Sequence, residues 1–123
     1  MFVPDVVQVE DGVFLSGEEA AHHHRFHDLH AIGLVINCTN DVGFVQKNRC
    51  LPSGEAVRYV RCRVNDDLRP REISKMASAL PGLVDEIREA RRRGVNALVH
   101  CRMGVQRSAC VVAAYVMKTR GMS

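Results

Sequence analysis

In the stretch His100-Cys101-Arg102-Met103-Gly104-Val105-Gln106-Arg107-Ser108, a thiol and a guanidinium are separated by five residues. The apolar run Ala97 to Val99 predicts a buried strand that delivers Cys101 at its carboxyl end, and Ser108 to Arg120 predicts a strongly apolar helix. A five-residue loop between them can aim successive backbone N–H groups at one point, and Gly104 permits the backbone angles that this needs. The helix N-terminus adds its free N–H groups and positive dipole end. The expected product is an anion cradle formed by Arg102, Met103, Gly104, Val105, Gln106 and Arg107, with the Cys101 thiol at its floor. Such a field favours the thiolate, which is the nucleophilic form. Arg107 can hold two phosphate oxygens as a fork and keep them as phosphorus becomes trigonal bipyramidal. Ser108 can donate to the sulfur when it leaves again. The chemistry implied is phosphoryl transfer to sulfur followed by hydrolysis.

The elements that must position these groups are legible upstream. Val6 to Val9 and Val13 to Leu15 predict a hairpin turning at Asp11-Gly12. Ser16 with Glu19 three residues on has the form of a capping box, which predicts a helix from Glu18 to His30. Leu34 to Cys38 predicts a buried strand, Asn40 to Glu55 a loop, and the alternation of Val60, Cys62 and Val64 with Arg61 and Arg63 a half-buried strand. Ile73 to Arg93 has helical spacing and stops at Gly94, with Pro81 expected to kink it or restart it. Val95 to Val99 completes a set of strands alternating with helices, the pattern of an α/β sandwich with a largely parallel sheet.

Composition sets bounds on this. A length of 123 residues fits one domain, and 46% hydrophobic with 25% charged residues excludes disordered, collagen-like and coiled-coil chains. No run approaches the roughly 20 apolar residues of a bilayer span, and the N-terminus lacks a basic signal-peptide region, so no membrane association is expected. A net charge of +3 suits an anionic substrate, and 5% aromatics argue against stacking on nucleic acid. Five cysteines without CxxC spacing point away from a disulfide scaffold or zinc module and towards a reducing compartment, cytoplasmic or nuclear.

His100-Cys101-x5-Arg107-Ser108 resembles the signature of the cysteine-based protein tyrosine phosphatases. The run VHCRMGVQRSACVVAAYVM is most similar to their dual-specificity branch, which includes MAP kinase phosphatase and slingshot-type members. DGVFLSGEEAA resembles that family's first strand and helix, GLVINCTN its next strand, and YVRCRVNDD the strand that delivers the general acid. The resemblance implies one protein tyrosine phosphatase-like catalytic domain over 1–123, shortened at its C-terminal end, since only 22 residues follow Cys101. It implies a dual-specificity protein phosphatase that hydrolyses phosphotyrosine, and phosphoserine or phosphothreonine with it, using no cofactor and no metal. Cys101 becomes the nucleophile, Arg107 the phosphate ligand, and His100 a buried support that keeps the cysteine pKa low. The general acid follows a strand thirty-odd residues before the cysteine. Alignment on YVRCRVND selects Asp66, and counting back from Ile73 selects Asp67; Asp66 is the preferred assignment. Gln106 departs from the family, which more often has a small residue there. Some relatives protect the nucleophile by a reversible disulfide, for which Cys38 or Cys110 would be the partner.

Other residues read as plain structure. His22, His23, His24, His27 and His30 predict a solvated helix face, and Arg91 to Arg93 complement a helix dipole. Arg58, Arg61, Arg63, Arg69 and Arg71 could select acidic or doubly phosphorylated peptides. Apolar surface on the last helix, Ser108 to Arg120, would be either exposed or buried against a second copy, so a dimer is one expectation and the oligomeric state stays open. Two rival functions remain: a phosphatase of phosphoinositides or RNA 5′-phosphates, and a phosphopeptide-binding module. The absence of lysine from the loop weighs against the first, and retention of cysteine, arginine and acid against the second.

Overall fold

A sheet covered by helices on both faces needs central strands that are apolar on both sides, and short, largely apolar runs in this chain meet that requirement. A computed structural model describes residues 6–44, 49–65, 67, 69–102 and 106–121. The elements are β1 (Val6–Glu10), β2 (Val13–Ser16), α1 (Glu18–Ala21), α2 (His24–Leu29), β3 (Ile32–Asn37), β4 (Arg58–Arg61), α3 (Pro70–Arg92), β5 (Asn96–His100) and α4 (Gln106–Thr119). The sheet has five strands in the order β1-β2-β5-β3-β4. Only the β1–β2 hairpin is antiparallel; β2–β5, β5–β3 and β3–β4 are parallel.

Strand alternation divides the core into two layers. Leu34 and Ile36 of β3 and Ala97 and Val99 of β5 face α3 and α4, meeting Met76, Leu83, Val84, Ile87, Val111 and Tyr115. Ile32, Val35 and Leu98 face the other way, against Phe14, Ala21 and Phe26. Ile32 and Leu34 sit two apart yet point to opposite layers because the β3–β5 register shifts between them. Gly33 occupies that shift, where a Cβ would run into the side chains of Val95 and Leu51. At Gly12 the hairpin turn takes φ +74, which explains the glycine of the Asp-Gly pair.

Several expectations need correction. The first helix is two short ones, broken at His22 and His23, and no side chain caps α1. Ser16 does not form a capping box: its buried hydroxyl donates to the Gly17 carbonyl. The histidines are a solvated face only in part: His22 and His24 are exposed, His23 and His30 are half-buried, and His27 is buried. His27 is 1% exposed with Nε2 2.7 Å from the Ala21 carbonyl, and His30 packs on Phe14 and Phe26. Strand β4 lies at residues 58–61, earlier than the alternation suggested, with Cys62 and Val64 buried beyond its end. Helix α3 runs through Pro81 without a break. Pro81 and Gly82 lie on the solvent side, where the carbonyl that loses its donor can be hydrated. Among the described residues, no helix is long and apolar enough to cross a membrane.

Two buried imidazoles tie the stability of this fold to pH. Burial pushes His100 down to about 4, and burial also lowers His27. In the unfolded chain both take up a proton near pH 6.5. Their contribution is therefore fully present above that value and is lost as pH falls towards the folded-state value. The free energy of urea unfolding should drop between pH 7.5 and pH 5, with about 2 kcal/mol of the loss due to His100. The His100→Gln variant should show a shallower slope, and a wild-type profile flat over this range would exclude a buried neutral His100.

Candidate active site

Three parallel strands end together at one edge of the sheet, the place where open α/β sheets bind ligands. Their last residues, Ser16, Asn37 and His100, are all buried polar groups. Cys101 follows β5 directly. Its N–H donates to the Ser16 carbonyl at 3.2 Å, and the next strand holds its neighbour through Cys38 N–H to His100 carbonyl at 2.8 Å. The Cys101 side chain is fully buried, with Sγ 3.4 Å from the Ser108 hydroxyl at the start of α4. Strand end and helix start thus close around one sulfur. His100 is 1% exposed, with Nδ1 3.5 Å from the carbonyl of Cys101. Burial keeps this ring neutral at physiological pH, so it serves as a packed support and not as a charge.

Arg107 lies half-buried beside Ser108. Its Nη1 donates to the Val64 carbonyl at 2.7 Å, and its buried Nε has no partner among the described residues. The neighbouring atom of the same peptide group is also held: Asn65 N–H donates to Glu72 Oε1 at 2.7 Å. One peptide unit, Val64–Asn65, is therefore gripped at its oxygen by α4 and at its nitrogen by α3. Glu72 is 1% exposed, and its second oxygen stands 2.9 Å from Lys75 Nζ. The Asn65 N–H and the Lys75 ammonium hold the Glu72 carboxyl below its ordinary range. Sequence reading missed Glu72, although an acid at the third position of a helix is a recognised capping signal.

The expected general acid, Asp66, lies outside the described residues, as do Met103, Gly104 and Val105. Asp67 is described. Its Oδ1 accepts the N–H of Arg69 at 3.1 Å, a turn that leads into α3. Asp67 also borders a groove of about 280 Å³ that Gln106 and Arg107 line from the α4 side, so the departure at Gln106 sits at the rim, exposed. Arg102 is committed elsewhere than to a free fork. Its Nη2 is 2.7 Å from Asp41 and its Nη1 3.7 Å from Glu18, and its carbonyl accepts the Glu18 N–H at 2.8 Å. That pairing holds the Asp41 carboxyl below its usual range. Nothing in the sequence marked Asp41 or Glu18, because loop charges acquire partners only in the fold.

Cys38 and Cys62 share the buried cluster around Cys101, whereas Cys110 is exposed on α4. Burial, then the neighbouring thiols, push the Cys38 thiol well up, so it stays protonated. Among the described residues, no group of His, Cys, Asp and Glu is arranged to hold a metal ion.

The family model for the dual specificity phosphatase catalytic domain matches residues 13–123. The chain is 35% identical over 92 residues to the dual specificity protein phosphatase Mpk3 of Drosophila melanogaster, covering 75% of this chain and 20% of that protein. It is 27% identical over 116 residues to mouse dual specificity protein phosphatase 18, covering 94% of this chain and 56% of that protein. Among solved structures, human DUSP28 superposes with a TM-score of 0.78 at 28% identity, over 98% of this chain and 74% of that one. The chain spans about a fifth of the length of the first curated relatives it matches.

The double grip on the Val64–Asn65 peptide has a measurable consequence. Glu72→Gln removes the charge that strengthens the bond to Asn65 N–H. Hydrogen exchange at the Asn65 amide should accelerate, and the urea midpoint should fall at neutral pH. Because the folded-state Glu72 is depressed, the wild type should lose this advantage as pH drops below the ordinary carboxylate range, and the two proteins should converge there. Unchanged Asn65 exchange in the variant would show that the peptide is held by Arg107 alone.

Proposed function

This chain belongs to the dual specificity phosphatases, within the cysteine-based protein tyrosine phosphatase superfamily, and we propose on that footing that it hydrolyses phosphotyrosine in protein substrates, and phosphoserine or phosphothreonine with it, through a cysteinyl-phosphate. The observation that carries this reading is the buried Cys101 thiol, 3.4 Å from the Ser108 hydroxyl, beside an Arg107 whose Nε still lacks a partner among the described residues.

In the first step the Cys101 sulfur attacks phosphorus; the S–P bond forms as the P–O ester bond breaks, and Asp66 gives its proton to the departing oxygen. Arg107, anchored through Nη1 to Val64, directs its remaining N–H groups at the equatorial oxygens. Loop N–H groups from Arg102, Met103, Gly104, Val105 and Gln106 complete the cradle, each a positive dipole end that needs no side chain. In the second step water attacks phosphorus, the Asp66 carboxylate takes its proton, and the sulfur leaves as thiolate with the Ser108 hydroxyl donating to it. Asp66 is preferred over Asp67 because the Asp67 carboxylate is engaged by the Arg69 N–H.

Hydrolysis of a phosphotyrosine peptide in EDTA is the test. The Cys101→Ser variant should show no turnover. Asp66→Ala should lower kcat by about 10²–10⁴-fold, whereas Asp67→Ala should lower it far less. Arg107→Lys keeps the charge but loses the fork, and should cost about 10²–10³-fold. Full activity in Cys101→Ser would refute the mechanism. A wild type that binds the phosphopeptide without hydrolysing it would make this chain a binding module.

A further inference from the structure

Strand β4 is the outer strand of the sheet, and the space between its end and α3 opens as a cleft of about 830 Å³. Four cationic side chains line it, Arg61 and Arg63 from the strand end and Arg71 and Lys75 from the first turns of α3, together with Ser74 and Ser78. Among the described residues, no carboxylate is one of these lining groups. Glu72 lies behind them, buried, with one oxygen taken by Asn65 N–H and the other facing Lys75. Arg71 Nε comes no nearer to it than 3.8 Å, and the Arg71 side chain is 75% exposed.

Arg61 and Arg63 donate to backbone carbonyls, and among the described residues neither forms an ion pair with a carboxylate. Arg61 donates to the carbonyls of Thr39 and Val42, and its guanidinium carbon lies 5.0 Å from the centroid of the Phe44 ring. Arg63 donates to the Asn40 carbonyl at 3.2 Å. Burial, and then the charge of Arg63 beside it, lower Arg61 below the usual guanidinium value. Asp41, the carboxylate on the same loop, is already paired with Arg102. Among the described residues, a field of one sign is thus left at the mouth of the cleft. Val64 is a wall of this cleft and its carbonyl is the anchor of Arg107, so the field begins within one residue of the phosphate site.

We propose that this cleft receives an acidic segment of the protein substrate, carboxylates flanking the phosphorylated residue. The choice of carboxylates over a second phosphate follows from the arrangement. A phosphate needs converging donors, whereas here Arg61 has spent donors on carbonyls and Lys75 faces Glu72. What remains is a set of exposed cations spread over two elements, which suits several dispersed carboxylates. The proposal rests on the phosphatase reading for its kinetic consequence only; the binding itself does not need turnover.

The test has two arms. In the first, fluorescence anisotropy compares an unphosphorylated peptide rich in glutamate with its glutamine counterpart. The acidic peptide should bind about tenfold more tightly at low salt, the preference should shrink at high salt, and Arg63→Glu with Arg71→Glu should abolish it. In the second arm, kcat/KM for a phosphotyrosine peptide with acidic flanks should exceed that for neutral flanks by about tenfold, through KM. The double variant should bring that ratio to about one, with p-nitrophenyl phosphate hydrolysis unchanged. If the double variant loses p-nitrophenyl phosphate hydrolysis too, Arg71→Gln alone, at an exposed side chain, should still lower the ratio. Equal binding of the two peptides, a wild-type ratio near one, or tighter binding of a single-stranded oligonucleotide than of the acidic peptide would overturn the proposal. A wild type inactive on p-nitrophenyl phosphate would defeat the phosphatase reading instead, and the anisotropy would still decide the cleft.

Discussion

The Val64–Asn65 peptide group is where the two halves of this site are fastened together. In a trans peptide the carbonyl and the N–H point in opposite directions, and here each has a charged partner from a different helix. Arg107 at the start of α4 holds the oxygen, and Glu72 in the first turn of α3 holds the nitrogen. Rotation of that peptide would break both bonds at once, and a buried carboxylate left without its donor is costly. The segment leaving β4 is thus fixed at the residue before Asp66, and the guanidinium is fixed by the same atoms. Neither helix needs to touch the other's functional group for the two to keep register.

A second framework orders the loop after β3. Asn37, buried at the strand end, accepts from the N–H and hydroxyl of Thr39 and donates to the Val42 carbonyl at 2.8 Å. Arg61 donates to the Thr39 and Val42 carbonyls from the outer strand, and the Asn40 side chain bonds to that of Asn65. Backbone groups that a loop would otherwise expose are satisfied by side chains from β3 and β4. The loop becomes a wall, and Asp41 on it is placed to hold Arg102. The same polar side chains explain why the carboxyl ends of the strands are buried without being apolar: each has its partners within one or two residues of the site.

The parts of this arrangement that sequence could show are those set by local order. Cys101, Arg107 and Ser108 lie within eight residues, and the strand-to-helix turn containing them follows from hydrophobic pattern alone. The largely parallel sheet follows from the alternation of strands and helices. Boundaries were less legible: the alternation of Val60, Cys62 and Val64 reports burial, which continues past the last ladder pair of β4 at Arg61. Pro81 misled for a different reason, since its cost depends on whether the freed carbonyl meets water, and that depends on which side of α3 faces the core. His27 reads as one of five surface histidines until Ala21 and its carbonyl come round to meet it. Asp41 and Glu18 were invisible because each works across 61 or 84 positions of chain, a separation that no local pattern encodes, whereas Glu72 carried a local helix-start signal that did not reveal its partner Asn65.

The arginines around the site divide by how their charge is balanced, and this division bears on what the site can attract. Arg102 faces two carboxylates, so its charge is largely cancelled and its use is to tie α1 to the loop after β3. Arg61 is satisfied by carbonyls and an aromatic face, which consume donors but leave the charge in place. Among the described residues, Arg107 is bound to one carbonyl through one nitrogen and has no carboxylate partner. On the proposed function, a dianion approaching the Cys101 sulfur meets a positive end of α4 and a guanidinium that no described carboxylate cancels, in a partly buried setting where Coulomb attraction is less screened than in water. If Arg107 were paired as Arg102 is, the incoming phosphate would first have to displace a carboxylate. Bracing with one arginine while another has no described carboxylate partner keeps rigidity and attraction from competing for the same charge.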